Sequence, residues 1–472
     1  MVRFRTPAAL VLTLALAAAP AVRADVRPNS LFSDNAVLQQ GISVPVWGTA
    51  NDDEKVTVTF GGQKVSTVAR DGKWMVRLRP MKAGGPFTMT IAGDNVIKLR
   101  NILVGEVWVC SGQSNMQWPV KQSANSDETI ASCKDPMLRL FTVGRAGSTS
   151  PVTDVNSSWK ECAPDVVPDF TAVGYFFGRD LRRALNVPVG LINTSYGGTR
   201  VQAWTSARYV LNTSQLRREA RKMPDWAKNP NRPSVLYNAM IAPLIPYAIR
   251  GAIWYQGESN AGEAYAYRTL FPTMITNWRE DWGQGDFPFL FVQLAPYRDP
   301  APEPGDSTWA ELREAQLLTT RTCPNTAMAV ITDYGDPKDI HPKQKEPVGA
   351  RLALAARALA YGQKVVYSGP VYKSRKIKGD SIVVYFDHVG SGLMTKGDKL
   401  TGFAIAGGDR KFVSADAEIV GDKVVVRSAQ VPRPVAVRYG WADCPIVNLF
   451  NKEGLPATPF RTDDFPLVTG PK

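Results

Sequence analysis

The chain has 472 residues, 44% of them hydrophobic and 21% charged, and its formal charge at pH 7 is +13. That length exceeds one ordinary core, so two or three domains are expected. The positive surplus favours anionic partners only weakly. No basic run is interleaved with aromatic residues, which argues against a nucleic-acid partner and for a solvated basic surface.

The first residues read as an address. Arg3 and Arg5 form a basic start, "AALVLTLALAAAPA" is too short to span a bilayer comfortably, and "VRA" at Val22–Ala24 offers small residues for cleavage. Residues 1–24 are therefore expected to be a signal peptide, and losing Arg3, Arg5 and Arg23 with it leaves a charge of +10. No other apolar run reaches spanning length. The mature protein is expected to be exported, periplasmic or extracellular, with no stable membrane anchor.

Residues 25–104 carry short alternating runs punctuated by turn residues, as in "VTVTFGGQKVSTVARDGKWMVRLRP", and no helical stretch. Period-two patterning of this kind predicts a small antiparallel β-sandwich domain. Between residues 105 and 362 strands alternate with helices. After an opening strand through "VWVC" come the helix "VGYFFGRDLRRALN" and the strand "VPVGLINTS". "IRGAIWYQ" is the next strand, followed by the helix "LFPTMITNWREDW" with Phe271, Met274, Ile275, Trp278 and Trp282 at helical spacing. "FPFLFVQLA" is a strand, and "STWAELREAQLLTT" a helix opened by a capping box from Thr308 to Glu311. "AMAVITD" is the last strand, and "EPVGARLALAARALA" a helix with Pro347 in its first turn. Strands so continuously apolar belong to a parallel sheet covered on both faces, so this region is expected to be an α/β catalytic domain. From 363 to 472 the alternating texture returns as a C-terminal β region.

Five cysteines, Cys110, Cys133, Cys162, Cys323 and Cys444, include no CxxC pair, which argues against zinc. An oxidising compartment permits one or two disulfides, with Cys133 and Cys162 the first pair to test and Cys110, in a predicted buried strand, the natural free thiol.

Ligands of open α/β sheets sit beyond the carboxyl ends of the strands. Four loops there carry polar clusters: "CSGQSNMQW", "NTSYGGTRVQAW", "QGESN" and "DYGDPKDIHP". The chain has only two histidines, and histidine is the usual base for activating a serine near neutral pH. His388 follows Asp387 in a strand pattern, where neighbours point to opposite faces, so a structural or surface role is expected for it. His341 precedes Pro342, which holds it extended, and Asp339 then projects to the same side as an orienting acid. Two serines compete as nucleophile. Ser111 belongs to the strand end, whereas Ser114 follows the turn permitted by Gly112 with its own N–H free to serve an oxyanion. Geometry favours Ser114 while leaving Ser111 open. The motif is not the GxSxG elbow, since position 116 is Met.

The blocks "GEVWVCSGQSNMQWPV", "SYGGTRVQAWTS", "LYNAMIAPLIPYAIRGAIWYQGESNA", "GDPKDIHPKQKEPVGARLALAA" and "NLFNKEGLPATPFRTD" resemble the sialate O-acetylesterase family, serine esterases on the SGNH-hydrolase fold. The resemblance runs from "LFSDNAVLQQGISVPVWG" to the C-terminal segment. It implies Ser114 as nucleophile, His341 as base and an aspartate before it as orienter. Asp339 is the choice and Asp336 the reserve, because Lys338 stands where the wider group has its Asp-x-x-His aspartate. It further implies oxyanion donors in the N–H groups of Ser114 and Gly198 and in the side chain of Gln256 or Asn260. Arg200 is a candidate for a substrate carboxylate, and Glu258 for supporting the substrate site. The implied substrate is an O-acetylated sugar or sialoglycan, with no cofactor and no metal. The alternatives are a deacetylase of xylan or another polysaccharide, and a non-catalytic carbohydrate-binding surface protein.

Overall fold

The computed structural model describes residues 1–2, 25–222 and 229–471. Residues 3–24, nearly all of the expected signal segment, lie outside the described residues. A mostly parallel sheet whose middle strands are apolar lies at the centre. Its strands are β1 (Val96–Gly112), β2 (Asp135–Thr142), β3 (Lys160–Cys162), β4 (Val189–Ser195), β5 (Gly251–Tyr255), β6 (Phe289–Val292) and β7 (Thr326–Ala329). The helices that concern the site are α1 (Ser114–Gln117), α2 (Ala172–Leu185), α3 (Ala264–Trp282), α4 (Thr308–Thr322) and α5 (Glu346–Leu359). Spatial order is β3-β2-β4-β1-β5-β6-β7. All neighbours run parallel except β3, which pairs antiparallel with β2.

Period-two alternation sorts the strands' side chains between two cores. Val107, Val109, Trp254, Phe289 and Phe291 face the side carrying Phe271, Trp278 and Leu312 of α3 and α4. Trp108, Cys110, Ile253, Leu290 and Val292 face the side carrying Phe177 and Leu352 of α2 and α5. This is the doubly covered sheet predicted from the apolar runs. Gly349 lets α5 sit against α2, since a Cβ there would lie 2.6 Å from the Phe177 nitrogen.

The expected boundary at 104/105 falls inside β1. Before it, β1 alternates in burial and pairs antiparallel with the strand Gly84–Ala92; beyond it, every residue is buried and the pairing turns parallel. The sheet therefore continues into N-terminal strands, eleven strands in all among the described residues. At the other end, two four-stranded antiparallel sheets and a two-stranded one make the C-terminal region. It docks through buried Arg313 of α4, which donates to the carbonyls of Ala442, 2.6 Å, and Asp443, 2.9 Å.

Three local expectations change. Strand β2, second from the edge, was not anticipated, because Asp135, Pro136 and Arg139 interrupt its apolar pattern. Helix α4 is capped by Ser307, whose hydroxyl accepts from the Ala310 N–H at 2.9 Å; Glu311 instead accepts from the Val468 and Thr469 N–H groups. His388 lies just past the end of its strand, exposed and with φ +58°. Cys133 and Cys162 are neighbours, the Cys162 thiol donating to the Cys133 carbonyl at 3.2 Å, and all five cysteines are buried free thiols.

Candidate active site

Strand β1 ends at Gly112, and the chain turns at once into α1. Gly112 has φ +137°, and a Cβ there would lie 2.2 Å from the Tyr255 carbonyl oxygen, so the turn requires glycine. Ser111 is fully buried and its hydroxyl donates to the Thr194 carbonyl at 2.6 Å, a packing role. Ser114 opens α1, and its N–H takes no hydrogen bond among the described residues.

The loop after β7 returns His341 to Ser114 from 227 positions away, with Nε2 2.8 Å from Oγ. Arg351 of α5 braces that loop at its root, gripping the Asp333 carboxylate with two bonds of 2.6 and 2.7 Å. Asp339 accepts the His341 backbone N–H at 2.8 Å and stands 3.4 Å from Nδ1, a loose contact of the kind that tightens on substrate binding. Asp336 is committed to the backbone N–H groups of Lys338 and Asp339. The Trp118 ring stacks on the imidazole, centroids 5.1 Å apart and planes 17° apart. Burial holds the imidazole below its ordinary range, and the Lys345 ammonium pushes the same way against Asp339. The shift favours the neutral ring, the state a base needs.

A polar network lies behind the pair. Asn115 donates to Glu258 Oε1 at 2.6 Å and to the Ile340 carbonyl at 3.0 Å, and accepts from the buried Lys345 ammonium. Desolvation pulls Lys345 down to about 7, opposed by Glu258 and Asp339. Desolvation likewise raises Glu258, opposed by bonds from its own and Gly257's backbone and from Asn115, and by the charge of Lys345.

In front of Ser114 opens a cavity of about 300 Å³ whose wall includes Ser114, Gln117, Trp118, Arg145, Tyr196 and His341. Ser114, His341 and Asp339 thus come together, and the remaining expected residues are distributed otherwise. Gln256 is fully buried, and its amide N–H groups go to the Thr199 carbonyl, 3.1 Å, and Asn260 Oδ1, 2.8 Å. Asn260 is equally buried, donating to Gln202 Oε1 at 2.9 Å and Glu263 Oε2 at 3.4 Å. Neither amide has a donor left for an oxyanion, which corrects the expectation for both. Gly198 is exposed with a free N–H, but the glycine packed against Ser114 is Gly197, where a Cβ would lie 3.3 Å from the serine Cβ. Arg200 is paired with Glu263 at 3.0 Å and is absent from the cavity wall, as is Glu258. Sequence reasoning passed over Gln117, whose Oε1 accepts the Gly197 N–H at 2.7 Å, and Trp118, although both stand in the serine motif. It also passed over Arg145, Asn115 and Lys345.

The family model described as carbohydrate esterase, sialic acid-specific acetylesterase, matches residues 104–358. A human sialate O-acetylesterase is 32% identical, covering 96% of this chain and 95% of the relative. The mouse sialate O-acetylesterase is 33% identical, with 88% and 89% covered. A crystal structure of a carbohydrate acetylesterase from Xanthomonas citri superposes with a TM-score of 0.88 at 42% identity, covering 93% of this chain and all of that one.

Proposed function

The chain belongs to the sialic acid-specific acetylesterase family of carbohydrate esterases, and from that premise we propose that Ser114 and His341 deacetylate sialic acid by two-step acyl transfer. It is a carboxylic ester hydrolase, and its substrate is an O-acetylated sialic acid. Ser114 Oγ attacks the acetyl carbonyl carbon as His341 Nε2 takes its proton. The free N–H groups of Ser114 and Gly198 receive the developing oxyanion. The bond to the sugar oxygen then breaks, and His341 returns the proton to that oxygen. Water, deprotonated by the same imidazole, releases acetate and restores the serine. Asp339 orients the ring and offsets its charge while it is protonated. No step calls for a cofactor.

The observation that carries this reading is the 2.8 Å contact between Ser114 Oγ and His341 Nε2, joining loops 227 residues apart. Acetate release from an O-acetylated sialic acid tests it. Ser114→Ala should lower kcat by about ten-thousandfold or more, and a variant retaining a tenth of the wild-type rate refutes the assignment. The xylan and binding-protein alternatives have no observation in their favour; acetylated xylooligosaccharide run alongside checks the first.

We also place the mature protein outside the cytoplasm, supported by the basic start and short apolar run of residues 1–24. Among the described residues no helix is long and apolar enough to cross a membrane. An exported protein beginning near Asp25 is the expected result of N-terminal sequencing.

A further inference from the structure

We infer that Arg145 recognises the carboxylate of the acetylated sialic acid and so sets the preference of the site for an anionic sugar. The inference rests on the sialate reading given above. Sialic acid differs from neutral acetylated sugars in the carboxylate at C1, one pyranose ring away from the hydroxyls that carry acetyl. A cavity of about 300 Å³ suits a single sugar unit, so the group that meets the carboxylate must lie in the wall that holds Ser114.

Among the described residues Arg145 is the only lysine or arginine in that wall, and no aspartate or glutamate lines it to compete. Its guanidinium lies 5.9 Å from the centre of the Tyr196 ring, the residue before the Gly197 that packs on Ser114. It is exposed and has no carboxylate within ion-pair distance among the described residues. A guanidinium resting near an aromatic ring keeps its N–H edge for a two-pronged bond to a carboxylate. The segment bearing it is tied at both ends, Val143 N–H to the Asn193 carbonyl at 2.9 Å and Ser148 N–H to the Val235 carbonyl at 3.0 Å. The cation is therefore presented on a short anchored span. Arg200, the sequence-based candidate, is instead engaged by Glu263 at 3.0 Å.

The test compares kcat/KM for acetate release from an O-acetylated sialic acid and from its C1 methyl ester, which keeps the acetyl group and removes the charge. The wild type should prefer the free acid by about tenfold or more, the effect of one charged hydrogen-bonded contact at an exposed site. In Arg145→Gln that preference should collapse toward one, through KM more than kcat, and Arg145→Lys should restore part of it. An unchanged preference in Arg145→Gln, or none in the wild type, overturns the assignment of Arg145 while the esterase reading stands. A wild type that cleaves p-nitrophenyl acetate but neither sialate overturns the sialate reading, and the inference with it.

Discussion

Gln256→Ala separates an oxyanion donor from a buried structural amide. In the folded chain Gln256 is 0% exposed and its side chain makes three hydrogen bonds: to the Thr199 carbonyl at 3.1 Å, to Asn260 Oδ1 at 2.8 Å, and from the Tyr267 hydroxyl at 2.8 Å. Truncation strands the buried Tyr267 hydroxyl at a cost of about 1–3 kcal/mol, and the two lost donor bonds add about 1 kcal/mol each. The sum is about 3–5 kcal/mol. Unfolding entropy of about 2.1 cal/mol/K per residue gives about 1 kcal/mol/K for about 450 residues, so the midpoint should fall by about 3–5 °C. Turnover of p-nitrophenyl acetate below the transition should change by less than about tenfold, whereas an oxyanion donor would cost about a hundred- to a thousandfold. Calorimetry and initial rates on one preparation decide it. An unshifted melting midpoint together with a hundredfold fall in kcat refutes the burial argument and returns Gln256 to the oxyanion.

The pH profile of kcat/KM follows from His341. Its folded pKa is lowered, so the active neutral form persists below the ordinary imidazole range and activity falls only as pH drops through that depressed value. Lys345 is charged at those pH values and contributes to the depression, so Lys345→Gln should move the acid limb upward by roughly half to one pH unit. A limb that stays put or moves to lower pH refutes the electrostatic link. Gly112→Ala should cost about 3 kcal/mol or more, since its Cβ would press on the Tyr255 carbonyl at 2.2 Å and its φ is +137°. Thermal melts and rates should fall together, because the same turn launches Ser114.

The central sheet was legible because β5 and β6 are uninterrupted apolar runs and β4 opens on one, a pattern that burial on both faces produces directly. Strand β2 was not, for a non-local reason. Arg139 at its centre is 2% exposed, yet its guanidinium is satisfied by Asn35 and Asn101, far away in the sequence. A local window sees a charge that ends the strand. The cap of α4 was misread by one position for the same kind of reason: Glu311 is drawn off by the backbone of Val468 and Thr469. In the site, Ser114 and His341 stood out because a chain with two histidines offers few bases. Gln256 and Asn260 were misplaced because an amide has the same chemistry in a cavity wall and in a sealed network.

Lys345 shows most clearly what composition hides. In "HPKQKEP" it reads as one more solvated charge, yet it is 1% exposed. Burying it behind the nucleophile has a cost that packing alone does not repay, since a lone ammonium would shed its proton. Its partner Asn115 explains the placement. Asn115 follows Ser114, and the carbonyl it grips belongs to Ile340, which precedes His341, so the bond of 3.0 Å ties the nucleophile's helix to the base's loop. Glu258 holds the second amide hydrogen of Asn115 at 2.6 Å, and Lys345 holds its oxygen, which fixes the amide in one orientation. The 2.8 Å separation of Ser114 and His341 is thus set one residue behind each of them, by groups that do not line the cavity. Lys345→Gln can keep the hydrogen bond to Asn115 while removing the charge, so positioning and electrostatics are separable in this network.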